Sequence, residues 1–240
     1  AAASTAAAAS TAATAIPRLL FTYWDEAAPP ELVGCCLALM RKTNPSWEVV
    51  RLTHGCAGFP PPPPPERPLG EPRVSAAQQA DWYRLHALAA HGGVYLDATC
   101  VTLRPLEEWV DLSRAAVQGF ALPHDGTTLE SWAIAAPRGS ALMARWRDEF
   151  VRAMAMGHDE RGLLGPYCAE AMAVPRLISK GLRASLPYLA IHAAWCTARN
   201  ALADEDCALR SAVELGAPYR YLAEAGWDSA AAVSALFACT

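Results

Sequence analysis

Residues 80–99 read ADWYRLHALAAHGGVYLDAT, and this stretch is the most informative part of the chain about its fold. It predicts a helix over residues 75–91, because Ser75 is a good helix cap and a double glycine ends the helical pattern. The short apolar run 94–96 that follows is typical of a buried strand. Asp97 would then lie at the carboxyl end of that strand, which is where open α/β sheets bind their ligands.

Two charged residues lie within the apolar side of the predicted helix. At 100° per residue, Asp81 and Arg84 share a face with Leu85 and Leu88, whereas Tyr83 falls opposite. The two charges must pair with each other or meet a polar ligand, because an unpaired charge in an apolar contact costs several kcal/mol. An Asp–Arg pair that only stabilises the helix remains an alternative.

The composition fits one sizeable domain, which we place at residues 16–240. The chain has 240 residues, of which 53% are hydrophobic. Its formal net charge is −4, which argues against nucleic acid as the main partner, because proteins that bind nucleic acid carry a broad basic surface. The 8 cysteines contain no C-x-x-C pair, which argues against a zinc knuckle and leaves both buried thiols and disulfides open.

Two segments have biased composition. Residues 1–15 contain only alanine, serine and threonine and are interpreted as a disordered leader, without the features of a signal peptide. Residues 57–74 include six consecutive prolines and are expected to form a stiff surface loop. No run is long and apolar enough to span a bilayer, so membrane association would need a segment absent from this chain.

Other elements are predicted on both sides of this core. Residues 16–24 read as a buried strand that presents Tyr23 and Trp24 at its carboxyl end. A helix and a second strand follow and imply a right-handed parallel crossover. Later predictions are strands at 116–122, 133–136 and 186–191, the last ending at His192, and helices at 31–42, 139–156, 165–177 and 229–237.

Four segments together resemble a known family. The stretch quoted above, IPRLLFTYW at 16–24, PPELVGCCLALMRKTNPSWEVVRL at 29–52 and ESWAIAAPRGSALMARW at 130–146 occur in the order of D-x-D sugar transferases. They resemble most closely the capsular polysaccharide synthesis protein family, over roughly Ile16 to Phe150. The resemblance implies an α/β, GT-A-like fold with a mainly parallel sheet flanked by helices.

The resemblance also implies roles for particular residues. It assigns Asp97 to catalysis. Glu130 is the remaining acid near a strand start in the matched region and is the second catalytic candidate, to orient the acceptor or stabilise positive charge on the sugar, with a solvent-facing glutamate as the more ordinary alternative. The resemblance assigns a nucleotide-sugar donor to Tyr23, Trp24, Asp81 and Arg84. A divalent metal, Mn²⁺ or Mg²⁺, would be held by Asp97, Thr99 and His192. The sequence departs from D-x-D because Thr99 replaces the second acid, and taken alone Asp97 and Thr99 are more typical of turns.

Two function classes follow. The first is a nucleotide-sugar-dependent glycosyltransferase, a retaining hexosyltransferase if it follows its relatives, with a glycan acceptor as partner. The second is a non-catalytic relative that binds a sugar nucleotide or glycan. A dehydrogenase is disfavoured because no G-x-G-x-x-G turn follows the first strand. The expected location is the Golgi or endomembrane lumen in a eukaryote and the cytoplasmic face of the membrane in a bacterium.

Overall fold

The fold is built on a single sheet with the strand order β2-β1-β3-β5-β4-β6. A computed structural model describes residues 16–62, 74–123, 125–214, 218–228 and 230–231. The strands are β1 (Leu19–Tyr23), β2 (Glu48–Leu52), β3 (Gly93–Leu96), β4 (Val117–Ala121), β5 (Leu129–Ala136) and β6 (Cys207–Ser211). The predicted α/β fold with a mainly parallel sheet is confirmed.

The strand directions determine where a ligand site can lie. β1 is parallel to both β2 and β3, and β4 is parallel to β6. β5 is antiparallel to its neighbours β3 and β4, so β5 alone opposes the other strands. Consequently the carboxyl ends of five strands and the amino end of β5 meet at one edge of the sheet, which we call the carboxyl edge.

Helices cover both faces of the sheet. They are α1 (Glu31–Thr43), α2 (Ala76–His91), α3 (Ala141–Ala155), α4 (Gly165–Ala173), α5 (Lys180–Arg183), α6 (Ala190–Ala201) and α7 (Arg220–Glu224), with a 3-10 turn at Leu106–Glu108. One hydrophobic core joins α2, α3, α4 and α6 to one face, and a smaller core packs α1 and the 3-10 turn on the other. Alternate residues of β3 enter the two cores, as expected for a strand buried on both faces.

The predicted helix of the central stretch is confirmed as α2. Ser75 accepts a hydrogen bond from the Gln78 N–H in a capping box, and Gly92 ends the helix with a φ of 65°. The prediction of a single apolar face was incomplete, because Trp82 and Tyr83 are buried as well as Leu85. α2 lies between the sheet and α3, so two of its sides are covered.

The prediction for the carboxyl-terminal part was wrong in one element. Residues 186–191 do not form a strand, and His192 lies in α6 rather than at a strand end. Ile191, Ala194 and Ala198 repeat with a helical period and are buried against the core shared with α3. The apolar run was too short for this period to be distinguished from a strand.

Some predictions fall on parts of the chain that the structure does not describe. The leader at 1–15, most of the proline-rich loop at 57–74 and most of the helix at 229–237 lie outside the described residues. Among described residues, no helix is long and apolar enough to cross a membrane. The described cysteines are free thiols, namely Cys35, Cys36, Cys56, Cys100, Cys168, Cys196 and Cys207.

Candidate active site

Asp97 lies at the carboxyl edge, directly after β3. Its backbone N–H donates to the Trp132 carbonyl over 2.9 Å, which continues the pairing of β3 with β5 by one residue. The Asp97 side chain is 38% exposed, whereas Tyr95 and Leu96 before it are buried. The strand therefore delivers a carboxylate to solvent at the end of a buried run.

A buried arginine holds Asp97 from α2. The Arg84 guanidinium donates to Asp97 Oδ1 over 3.0 Å and to the Ser131 carbonyl over 2.5 Å, and it lies 3.4 Å from Asp81 Oδ1. Its carbon Cζ stands 4.6 Å from the centre of the Tyr95 ring. Since the Arg84 side chain is only 4% exposed, its contacts are with the protein, and its predicted donor contact remains a prediction.

The charges of this cluster do not cancel. Burial raises the pKa of Asp81 to about 6, although the neighbouring Arg84 opposes this shift. Two carboxyl groups, those of Asp81 and Asp97, thus share one guanidinium. The exposed side of Asp97 is consequently suited to a cation.

Glu130 lies at the same edge, near the start of β5. Burial raises its pKa to about 7, and the charges of Asp125 and Asp97 add to this effect. His192 of α6 places its Nε2 3.9 Å from Glu130 Oε2, and both side chains are almost fully buried. His192 is thus a buried neighbour of Glu130 at a distance longer than a hydrogen bond, and its predicted metal role remains a prediction.

Asp125 was not singled out from the sequence. It accepts hydrogen bonds from the backbone N–H groups of Thr127 and Thr128 and from the Ser179 hydroxyl, so it fixes the turn that leads into β5. These bonds lower its pKa although burial opposes them. The charge of Asp125 near Glu130 contributes to the raised pKa of Glu130.

The two aromatic residues predicted to bind the donor lie at the end of β1. Tyr23 is buried, stacks on Tyr83 with 5.2 Å between ring centres, and donates its hydroxyl to Gln79 over 2.9 Å. Trp24 is half-buried, and its indole N–H meets no acceptor among the described residues. Tyr23 therefore supports the site from beneath the surface, and contact of either residue with a nucleotide remains a prediction.

The divalent metal remains a prediction, and the residues at this edge would hold it only together with groups of the substrate. Asp97 offers a partly exposed carboxylate, and Thr99 is exposed beside it. Within the described part of the chain, no group of three or more His, Cys, Asp and Glu side chains could hold a metal ion. Mg²⁺ is often bound by one or two carboxylates together with substrate phosphates and water. Asp97, with Thr99 through a water, would hold such an ion.

A row of aromatic rings begins at Trp132 of β5. Trp132 stacks on Phe120 with 5.4 Å between ring centres and lies 5.5 Å from Tyr219. Tyr219 in turn lies 5.9 Å from Trp227. Sequence reasoning missed Tyr219 and Trp227, because more than eighty residues separate them from Trp132 and only the fold brings them together.

The residues of the central stretch also carry the family signal. The sequence matches the family described as "Capsular polysaccharide synthesis protein" over residues 4–156. The chain belongs to this family. The resemblance derived from the four sequence segments is therefore confirmed, and the matched region includes Asp81, Arg84, Asp97 and Glu130.

The comparisons with solved structures and with curated proteins are less informative about the family. A solved structure named "PaToxG Glycosyltransferase" is similar to this capsular polysaccharide synthesis family member, with a TM-score of 0.47 and 17% sequence identity. The similarity covers 81% of this chain and 82% of that chain. No curated protein sequence matches the chain.

Proposed function

We propose that the protein is a glycosyltransferase that moves a sugar from a nucleotide-sugar donor to a glycan acceptor, on a GT-A-like fold. The observation that carries the proposal is the Asp97 carboxylate, which faces solvent at the carboxyl edge and is held from behind by buried Arg84. β1 has β2 on one side and β3 on the other, so the crevice beyond β1 and β3 is a topological switch point. Membership of the capsular polysaccharide synthesis family supports this reading.

In this proposal Asp97 binds the donor diphosphate through a divalent cation. A bound Mn²⁺ or Mg²⁺ would act as a Lewis acid that neutralises the charge developing on the leaving diphosphate. Arg84 acts as a positioning residue, because it orients Asp97 through a charge-assisted hydrogen bond without being exposed itself. Asp81 keeps Arg84 in place and maintains the negative charge that attracts the cation.

Glu130 is the proposed second acidic residue of the reaction. Its pKa of about 7 means that both protonation states are populated at neutral pH, which suits a group that exchanges a proton or stabilises positive charge on the sugar. It lies at the start of β5, next in the sheet to β3, which carries Asp97. The proposal therefore assigns Glu130 to the acceptor side of the site.

A non-catalytic sugar-nucleotide binder is the second candidate. It is favoured by Thr99 in place of a second acid and by the small number of metal-ligating side chains around Asp97 in the described residues. The two candidates predict the same ligand and differ only in whether the sugar bond is broken.

A donor screen separates the two candidates. A panel of sugar nucleotides, with manganese or with EDTA, is scored by thermal shift and by released nucleotide. We expect one donor to raise the melting temperature and to release nucleotide only with metal. A thermal shift without released nucleotide for any donor or added oligosaccharide would favour the binder.

Asp97→Asn tests the proposed site directly. Loss of the charged contact to a metal-bound diphosphate should reduce turnover on the order of a thousandfold. Asp148→Asn is the matched control, because Asp148 of α3 is a surface acid with a 60% exposed side chain. Full activity of Asp97→Asn, or an active wild type that EDTA does not affect, would contradict the metal role.

A further inference from the structure

Trp227 is a large aromatic side chain that the fold leaves in solvent. It is 53% exposed, and the contact that orders its ring is with Tyr219, at 68° between ring planes. Tyr219 contacts Trp132, which pairs opposite Asp97 in the sheet. The exposed indole is thus the outer end of an aromatic row that begins at the proposed site.

Two backbone hydrogen bonds hold the turn that contains Trp227. The Gly226 N–H donates to the Ala223 carbonyl over 3.1 Å, and the Trp227 N–H donates to the Leu222 carbonyl over 2.7 Å. These two bonds form the Schellman motif that ends α7. Trp227 itself has a φ of 69°, a left-handed conformation that is costly for a bulky residue and that is found at ligand-binding positions.

Tyr219 anchors this turn to the sheet. Its backbone N–H donates to the Ala212 carbonyl over 2.7 Å, directly after the carboxyl end of β6. Its ring also lies 5.5 Å from the Trp132 ring, and the Trp132 carbonyl accepts the Asp97 N–H. The rigid part of the aromatic row therefore connects Trp227 to the reacting groups.

We propose that Trp227 and Tyr219 form a stacking platform for a sugar ring of the acceptor glycan. The apolar C–H face of a sugar packs on an aromatic ring, while the hydroxyls at its rim stay in contact with water and polar groups. The proposal rests on the proposed function for the identity of the neighbouring site.

The sheet order assigns the platform to the acceptor rather than to the donor. The proposed donor crevice lies beyond β1 and β3, whereas β5, β4 and β6 follow on the other side of β3. Glu130 of β5 comes first in that direction, and Tyr219 follows β6. A sugar on the platform would therefore approach Asp97 from the side opposite to β1 and β2.

The test measures oligosaccharide binding by the full chain. Wild type is applied to an array of neutral and acidic oligosaccharides, and the tightest binder is then titrated by calorimetry. Trp227→Gly removes the ring at a position where glycine adopts a φ of 69° without strain, so the turn is kept. Trp227→Phe keeps an aromatic face, and Tyr188→Ala is the control because Tyr188 is a 70% exposed ring that lies outside the aromatic row.

We expect Trp227→Gly to weaken oligosaccharide binding by at least about tenfold. Trp227→Phe should weaken it by about threefold or less, and Tyr188→Ala should leave it unchanged. The dissociation constant of the donor found in the screen is measured on the same variants. It should stay unchanged in the variants that bind the oligosaccharide more weakly. Melting temperatures show that each variant is folded, and Trp227→Phe serves for the comparison if the glycine variant is not.

Three results would overturn the platform. They are an absence of oligosaccharide binding by wild type, unchanged binding by folded Trp227→Gly, and an equal loss of donor binding, which would assign the ring to the donor. The proposed transferase can fail separately. If no sugar nucleotide is cleaved but Trp227→Gly still loses oligosaccharide binding, the platform stands and the catalytic proposal is wrong.

Discussion

Among the described residues, Arg84 is the cation that contacts both carboxylates beside β3. Its guanidinium contacts Asp81, Asp97 and the Ser131 carbonyl at once, so α2 is connected to both β3 and β5. A planar group with several donors in fixed directions can make these contacts together, whereas a lysine ammonium is a single point charge. Arg84 therefore connects α2 to the sheet and also balances part of the charge of the two carboxylates.

Replacing Arg84 should destabilise the fold, and a second substitution at Asp81 should restore part of the lost stability. We expect Arg84→Met to lower the free energy of unfolding by about 3–5 kcal/mol at pH 7.5, because it leaves the buried Asp81 carboxylate unpaired. Adding Asp81→Asn should recover part of this loss, since it removes the stranded charge. Urea denaturation of both variants measures the effect, with Arg104→Met as an exposed control.

Equal stability of the single and double variants would contradict the pairing of Asp81 with Arg84. Donor affinity of the folded double variant is a second measurement. We expect it to fall, because Asp97 would lose the hydrogen bond that orients it.

The buried carboxyl of Glu130 should make stability depend on pH. Its pKa rises from 4.5 to about 7 on folding, mainly through burial. The folded state thus holds the proton more tightly than the unfolded state. This contribution to stability is complete below about pH 4.5 and is lost as the pH rises through about 7.

Glu130→Gln should therefore stabilise the fold at pH 8, by at most about 3 kcal/mol, and should have little effect near pH 4.5. Urea denaturation at the two pH values measures this, and Glu48→Gln is the control because Glu48 is exposed on β2. If the difference between Glu130→Gln and wild type did not grow with pH, Glu130 would not be buried as the structure has it.

The junction of α2 and β3 is the element that positions Asp97. Gly92 and Gly93 both have positive φ angles, and a Cβ at Gly93 would lie 2.5 Å from the Leu19 carbonyl oxygen of β1. The close approach of β1 and β3 therefore requires glycine at this position. Because Asp97 follows β3 directly, a shift of this junction would move the carboxylate.

Gly93→Ala should cost about 3 kcal/mol or more, because it adds a clash with backbone atoms to the strain of a φ of 100°. Gly58→Ala is a matched control, since its φ is 91° and a Cβ there would meet nothing within 4 Å. That variant should lose only about 1–2 kcal/mol from strain. Similar losses in the two variants, by thermal or urea denaturation, would show that the contact with β1 is unimportant.

The whole sheet brings the site together through the reversal of one strand. Because β5 runs against its neighbours, its amino end meets the carboxyl ends of β1, β3 and β6. Glu130 is thereby placed at the edge that carries Asp97, and Tyr219 is bonded to Ala212 at the end of β6 on the same edge. Parallel packing of β5 would have put Glu130 at the opposite edge.

Much of the fold could be predicted from local pattern. The cap at Ser75, the double glycine and the apolar run before Asp97 each carry a local signal, so α2, β3 and the position of Asp97 at a strand end followed from the sequence. The same holds for β1, α1 and β2, because their apolar runs and the prolines at their boundaries can be recognised in the sequence alone. His192 was misplaced because a short apolar run carries too little period to separate helix from strand.

The arrangement of the site needed the tertiary structure. The sequence by itself placed Asp81 and Arg84 on one helical face and Asp97 at the end of a strand, since these are consequences of local backbone geometry. Only the packed sheet decided that Arg84 reaches Asp97 and Ser131. It also decided that His192 lies near Glu130 and that Tyr219 and Trp227 extend the aromatic row from Trp132. Such contacts join residues far apart in the chain, and they arise from strand order and burial, which no local pattern specifies.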